Sequence, residues 1–444
     1  MKKLIVTLAI TVMGAFLLVA CGGKKKIEIW VGNESKEFYD SKVESFKEAY
    51  KTKHDKDFAY AIEIIGMDTG SAATTFMDDP SVGADLFTVA HDNLGRLIAG
   101  SSAIAPVESE ALLAQINADN PQAFIEAVKA NHSGKEYVFG IPYVAQALVL
   151  YYDKDAITEE QVKSWEGIME AAAAKGATTK AMTLTGDDGY NNSFLLLATN
   201  AATKTSSLKL FPDGVAEDSV ADGDDMVSIM NWGQRFFKND NGGMFPASDG
   251  WEVSLKNGSA LSVISGAWHY NGAKAALGSK LGIALLPQFT ITEADAFGTV
   301  EANTVFQSGT FVDTKMFVMK KGMGADKQAA VEEIAMYFSS KEIQEESYKA
   351  ANNLPAYKNA ATEFASMKED TPEALLARIQ IGMFEHGIAQ PFGKDPKFNP
   401  YYYSKGAPAL FKDILTNAEN KYATPAEIKT GLGVIQNIWR TGEQ

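Results

Sequence analysis

Lys26–Val31 (KIEIWV) alternates apolar and polar side chains, the period-2 pattern of a strand. Val43, Phe46 and Tyr50 then recur at helical spacing, and residues 58–65 form a second strand candidate rich in β-branched residues. Residues 85–90 (DLFTVA) are a short, largely apolar run suited to a buried parallel strand, and 93–99 reads as a helix. This opening of strands alternating with helices predicts an α/β sheet covered on both faces.

Residues 136–152 (EYVFGIPYVAQALVLYY) are strand-like, with interruptions expected at Gly140 and Pro142. Thr158 and Gln161 have capping-box spacing and predict a helix running through Trp165. Residues 181–185, Ser262–Ser265 and 281–286 read as strands. Met226, Ile229, Met230 and Phe237 make one helical stripe, and Val331, Ile334, Ala335 and Phe338 another. Near the end, Thr424, Pro425 and Glu427 supply a cap, a first-turn proline and a capping-box glutamate. Ile428, Leu432, Ile435 and Trp439 then share a face. Trp165, Trp232 and Trp439 sit in such stripes and are read as packing. No repeat, heptad run or Pro/Ser linker divides the chain, so several α/β units are expected to form lobes that exchange segments.

The first 21 residues change the compartment. Lys2 and Lys3 precede an apolar stretch from Leu4 to Leu18, about the length of a signal-peptide core and short for a membrane span. Leu18-Val19-Ala20-Cys21 resembles a bacterial lipoprotein signal. Residues 1–20 are then removed, the chain's only cysteine is acylated, and 21–26 form a short lipid-anchored tether. Loss of two lysines takes the formal charge from −15 to −17. That acidic balance argues against nucleic acid as a partner. With one cysteine there is no internal disulfide, and a chain of 444 residues must rely on its core.

Catalytic and metal motifs are mostly missing. There is no G-x-S-x-G elbow, Walker A loop, H-E-x-x-H helix or G-x-G-x-x-G turn, and the five histidines are scattered, so no metal or cofactor is expected. Asp68-Thr69-Gly70-Ser71 matches an aspartic-protease tetrad, but that chemistry needs two facing aspartates and no second copy exists. Gly70 is read instead as a turn and Ser71 as a helix cap.

The informative residues stand at element ends. His91 and Asp92 follow the carboxyl end of a predicted parallel strand, where open α/β sheets bind ligands. Trp268 and Tyr270 follow another strand, and Tyr401, Tyr402 and Tyr403 cluster on a loop. Aromatic faces receive the C–H face of a sugar ring, while carboxylates and amides take its hydroxyls in pairs.

With those residues in view, the chain resembles the extracellular solute-binding proteins of sugar ABC transporters, in the maltose/maltodextrin-binding family. The resemblance covers nearly the whole mature chain through IEIWVGNE (27–34), ADLFTVAHD (84–92), PYVAQALVLYYDKD (142–155), SWE (164–166), NGSALSVISGAW (257–268) and Leu286-Pro287. It implies a two-lobed, periplasmic-binding-protein-like α/β fold with a hinge and an interlobe ligand cleft. The expected lobes are 27–145 with 287–340, and 146–286 with 341–444. By the same resemblance, Glu34 and Asp92 are hydroxyl-binding carboxylates, Trp268 is the stacking ring, and Tyr190 with Asp188 belongs to the second lobe. Asn93, Gln146, Tyr270, Tyr401 and Tyr402 complete the expected ligand set.

The chain departs from the family pattern at several points. It has Val89 for Trp, Asn93 for Arg, Gln146 for Glu and Ser35 for Lys, so the sugar or its length differs from maltose. The resemblance implies a monomer that captures an oligosaccharide and delivers it to membrane permease subunits, without a cofactor. Two other readings stay open on the residues alone. One is a surface glycosidase using Glu34 and Asp92; the other is a receptor for ferric iron or a polyamine.

Overall fold

The computed structural model describes residues 25–99, 103–132, 135–212, 215–246, 250–366, 371–390, 397–398 and 400–443. The expected signal peptide and Cys21 lie outside these residues.

Alternation in Lys26–Val31 sends Ile27, Ile29 and Val31 to one face of a sheet and Trp30 to the other, and all four are buried. This strand lies between Ala61–Gly66 and Leu86–Ala90, parallel to both. Leu86–Ala90 pairs antiparallel with a long strand, Thr310–Lys320, which also pairs with Gly140–Gln146, Ile104–Ala105 and Gly387–Ala389. Tyr39, Phe46, Phe317 and Phe338 fill one side of this sheet; Phe76, Phe87 and Val318 fill the other.

A second sheet has the order Gly243–Met244, Met182–Leu184, Ser262–Ser265, Val149–Asp153, Leu281–Ala284. Its core holds Trp165, Trp232 and Trp439, all essentially inaccessible. The chain is therefore two-lobed, with one α/β sheet in each lobe.

The passage from first to second sheet falls between Gly140–Gln146 and Val149–Asp153. Two expected boundaries differ from the structure. The chain was expected to return near Pro287, but Gln288–Thr290 and Val305–Gln307 build a small antiparallel sheet with Thr199–Asn200. Phe289, Ile291 and Phe306 sink into the second core, so the chain rejoins the first sheet only at Thr310. The last crossing, expected near Ser340, is also later. Lys341–Ala351 packs Ile343 into the first core, and Tyr348, Leu354, Tyr357 and Phe364 gather around Ala145. The second core recovers the chain with Leu376 and Met383 of Pro372–Phe384. Apolar periodicity gives the buried face of a helix and not the sheet that buries it.

Local expectations differ in three places. Pro142 lies inside Gly140–Gln146, where it does not end the strand but sits beside a bulge, the register with Thr310–Lys320 shifting between Pro142 and Val144. Thr158 and Gln161 bond reciprocally but start only a 3-10 turn; the helix Trp165–Lys175 is capped by Ser164, whose Oγ accepts from Gly167 N at 3.1 Å. Asp68, not Ser71, caps Thr69–Asp78, with Oδ1 accepting from Ser71 N at 3.0 Å. The Thr424–Glu427 capping box closes as read.

Candidate functional site

Both sheets present the carboxyl ends of parallel neighbouring strands to one cleft of about 680 Å³, within the usual range for small-molecule sites. In the first lobe, the turns after Lys26–Val31, Ala61–Gly66 and Leu86–Ala90 deliver Glu34, Asp68 and Asp92. In the second, the segments after Met182–Leu184 and Ser262–Ser265 deliver Asp188, Tyr190 and Trp268.

Glu34 stands in a 3-10 turn directly after its strand. Its carboxylate packs so closely over Gly32 that a Cβ there would meet Oε1 at 2.4 Å. Lys315 Nζ donates to Glu34 Oε1 at 2.8 Å. Burial pushes the Glu34 carboxyl up, but the Lys315 ammonium, together with a backbone hydrogen bond and nearby His269, outweighs this and the group lies below its ordinary value. Lys315 Nζ also stands 5.9 Å from the centre of the Trp268 ring, a cation–π contact between the lobes.

Trp268 folds back over Gly266, where a Cβ would meet the ring at 2.1 Å. The ring leans 6.1 Å from Tyr190, which stacks on Phe311. His269 beside it bonds Ser265 Oγ at 2.7 Å.

Asp92 Oδ1 accepts from Asn93 Nδ2 at 2.8 Å, and Asn93 Oδ1 accepts from Arg96 Nε at 2.8 Å. Arg96 thereby lines the cleft beside Asn93, and it also donates to Thr74. Lys315 supplies a cation beside Glu34, whereas Ser35 is buried and accepts from Asn353.

The structure brings Glu34, Asp92, Asn93, Gln146, Asp188, Tyr190 and Trp268 to this cleft. Asp188 serves mainly its own turn, accepting from the backbone of Tyr190 and Asn191 at 2.9 and 2.8 Å. Three expected residues lie elsewhere. Tyr402 is buried between Phe398 and Trp439 and donates to Gly189 O at 2.9 Å. Tyr401 packs against Gly442 at the end of the last helix. Tyr403 is the member of the cluster that reaches the cleft, because the π-helical turn Pro400–Ser404 rotates the three rings apart.

Tyr270 is buried below Trp268's turn and donates to Glu373 Oε1 at 2.6 Å. Hydrogen bonds from Lys274 and then Tyr270 hold the Glu373 carboxyl down to about 2. A carboxyl depressed in the folded state contributes stability above its unfolded value and loses it as pH falls through the folded one. Glu373→Gln is therefore expected to be less stable than the parent at pH 7. The gap should close as pH falls from about 4.5 toward 2. Urea midpoints across that range check this, and a gap independent of pH would contradict it.

Asp68, Arg96, His269, Asp313, Lys315 and Gln390 also line the cleft and were not picked from the sequence, which had named Tyr403 only as one of a cluster of three. Asp68 was within reach, since it follows a parallel strand as Glu34 and Asp92 do. Among the described residues no group of three or more His, Cys, Asp or Glu is placed to hold a metal ion.

A model of bacterial extracellular solute-binding proteins matches residues 45–374. A galactooligosaccharide-binding protein of Bacillus subtilis (strain 168) is 22% identical over 458 residues, covering 94% of each chain. Among solved structures, the unliganded maltodextrin-binding protein MalE1 of L. casei BL23 superposes with a TM-score of 0.68 at 20% identity, over 94% of this chain and 99% of that one. The GacH receptor of Streptomyces glaucescens GLA.O gives 0.65 at 16%, over 95% and 100%. With its two lobes and shared cleft, this chain belongs to the bacterial extracellular solute-binding proteins.

Proposed function

We propose that the protein is the solute receptor of an ABC importer, which captures an oligosaccharide between its lobes and delivers it to membrane permease subunits. The observation that carries this reading is the division of chemistry across one cleft. Carboxylates at Glu34 and Asp92 come from one lobe, and aromatic faces at Trp268 and Tyr190 from the other. Carboxylates take sugar hydroxyls with charge-assisted bonds, and rings cover the apolar face. The names of the relatives agree: galactooligosaccharide for one, maltodextrin for another.

Ligand touching both lobes gains contacts only in the closed form, so it draws the population toward closure. A micromolar Kd corresponds to about −8 kcal/mol, within reach of a few stacked rings and a satisfied hydroxyl network. The protein binds without turnover and acts as a monomer. A thermal-shift screen against oligosaccharides tests the reading: a ligand at 100 times its Kd adds about 2.7 kcal/mol to folded stability. No shift with any maltodextrin or galactooligosaccharide would overturn it.

Membrane attachment belongs to the same proposal. No described helix is long and apolar enough to cross a membrane. The lone Cys21 after Leu18-Val19-Ala20 provides a lipid anchor. Cys21→Ala is expected to leave protein as precursor or lose it from the membrane fraction, read by fractionation and intact mass. Unchanged maturation and attachment would contradict the anchor.

A further inference from the structure

Three polar atoms are buried in the wall of the cleft with no well-aligned partner beyond one another: Asp313 Oδ2, Gln146 Oε1 and the Tyr190 hydroxyl, the last close enough to the Asp313 carboxylate to stabilise its charge. Asp313 and Gln146 are register partners on neighbouring strands, 1% and 6% exposed. Tyr190 comes from the second lobe and is held by its stack on Phe311, with ring centres 6.0 Å apart. The other side of Asp313 is already engaged. Its Oδ1 accepts from Gln390 Nε2 at 2.8 Å, and Gln390 Oε1 accepts from the Tyr403 hydroxyl at 3.1 Å. His91 Nδ1 stands 3.7 Å from the same Oδ1, and burial drives that imidazole down to about 3, so it is neutral.

Buried polar atoms are expensive to leave unpaired, and three together on a cleft wall call for a common partner. The set offers a carboxylate oxygen, an amide oxygen and a hydroxyl that both donates and accepts. Adjacent hydroxyls of one sugar ring complete all three: each donates to an acceptor, and one accepts from Tyr190.

We propose that Asp313, Gln146 and Tyr190 form a subsite that binds neighbouring hydroxyls of one sugar ring, with Asp313 as a specificity-determining residue. The inference rests on the oligosaccharide reading above. Two of the atoms belong to strands of the first sheet and one to the second lobe, and the stack of Tyr190 on Phe311, two residues from Asp313, keeps them together where the chain passes between the lobes.

Charge around Asp313 gives the subsite a pH signature. The carboxyl is pushed up to about 7, first by burial; Asp92 adds repulsion, while Tyr190, Gln390 and Gln146 oppose the shift. The other titratable or charged neighbours are His91 on the turn after Leu86–Ala90, Tyr403 from the second lobe, and Lys315 two residues along the strand, already paired with Glu34. A sugar hydroxyl donating to Asp313 favours its ionised form, so the bound pKa falls below the free one. Affinity is then highest above about pH 7 and declines below it, by up to about tenfold per pH unit.

Calorimetry on the full mature protein with maltotriose and with β-1,4-galactotriose, at pH 6, 7 and 8, tests this. Wild-type affinity should fall from pH 8 to pH 6. Asp313→Asn should bind about tenfold more weakly at pH 8, with the pH dependence flattened. Tyr190→Phe keeps the stack on Phe311, removes one hydroxyl and should lose affinity severalfold while retaining the pH dependence. If wild type binds and both variants match it in affinity and pH profile, the subsite is wrong and the sugar reading stands. If wild type binds no member of the maltodextrin and galactooligosaccharide series, both fall.

Discussion

Trp232→Ala is expected to destabilise the second lobe by about 3–5 kcal/mol, the cost of removing a large, fully enclosed aromatic. Trp232 is inaccessible, stacks on Phe236 with centres 4.9 Å apart, and meets Phe289 at 4.4 Å. It thereby ties the helix Asp224–Lys238 to the small sheet that carries Gln288–Thr290. Its indole N–H donates to Glu166 Oε1 at 3.0 Å, and the same oxygen accepts from Thr290 N at 3.2 Å. Truncation opens a cavity and removes one donor from a carboxylate that is partly buried. Trp232→Phe keeps most of the volume and should cost about 1–2 kcal/mol, chiefly the hydrogen bond. Urea unfolding followed by circular dichroism measures both. An unchanged midpoint for Trp232→Ala would contradict the packing described for this lobe.

Trp268→Ala is expected to weaken oligosaccharide binding by about five- to thirtyfold, or about 1–2 kcal/mol, with little change in the stability of the ligand-free protein. The ring stands at the second lobe's edge of the cleft, held over Gly266, beside Tyr190 and under the Lys315 ammonium. A sugar stacking there replaces the Lys315 contact with a larger apolar one, and Lys315 keeps Glu34 as its partner. Trp268→Phe should recover part of the affinity. Calorimetry showing wild-type binding in the alanine variant would remove Trp268 from the site.

Much of the frame was legible because its signals are local. Alternation in Lys26–Val31, the apolar run ending at Ala90 and the Thr424 capping box each fix an element within a few residues. Asp92 followed from the rule that ligands meet the carboxyl ends of parallel strands, and Trp268 from its place after a strand, whereas Glu34 was implied only by the family resemblance. Asp313 and Lys315 were not legible. Their strand, TFVDTKMFVMK, is buried along nearly its whole length, so it shows no clean alternation, and its charges read as solvent positions. Among the three consecutive tyrosines, the choice of cleft residue depends on a π-helical turn that propensity does not announce. The lobe boundaries slipped for a related reason. Residues 288–307 and 341–366 are ordinary strands and helices, and which core they join is set by contacts distant in sequence.

Diffraction from crystals grown with a bound oligosaccharide would decide whether the cleft is the sugar site. Sugar rings are expected between the lobes, one stacked on Trp268, with hydroxyls directed at Glu34 and Asp92 and the lobes drawn together around them. An oligosaccharide bound on another surface, with solvent alone between Asp92 and Trp268, would contradict that assignment.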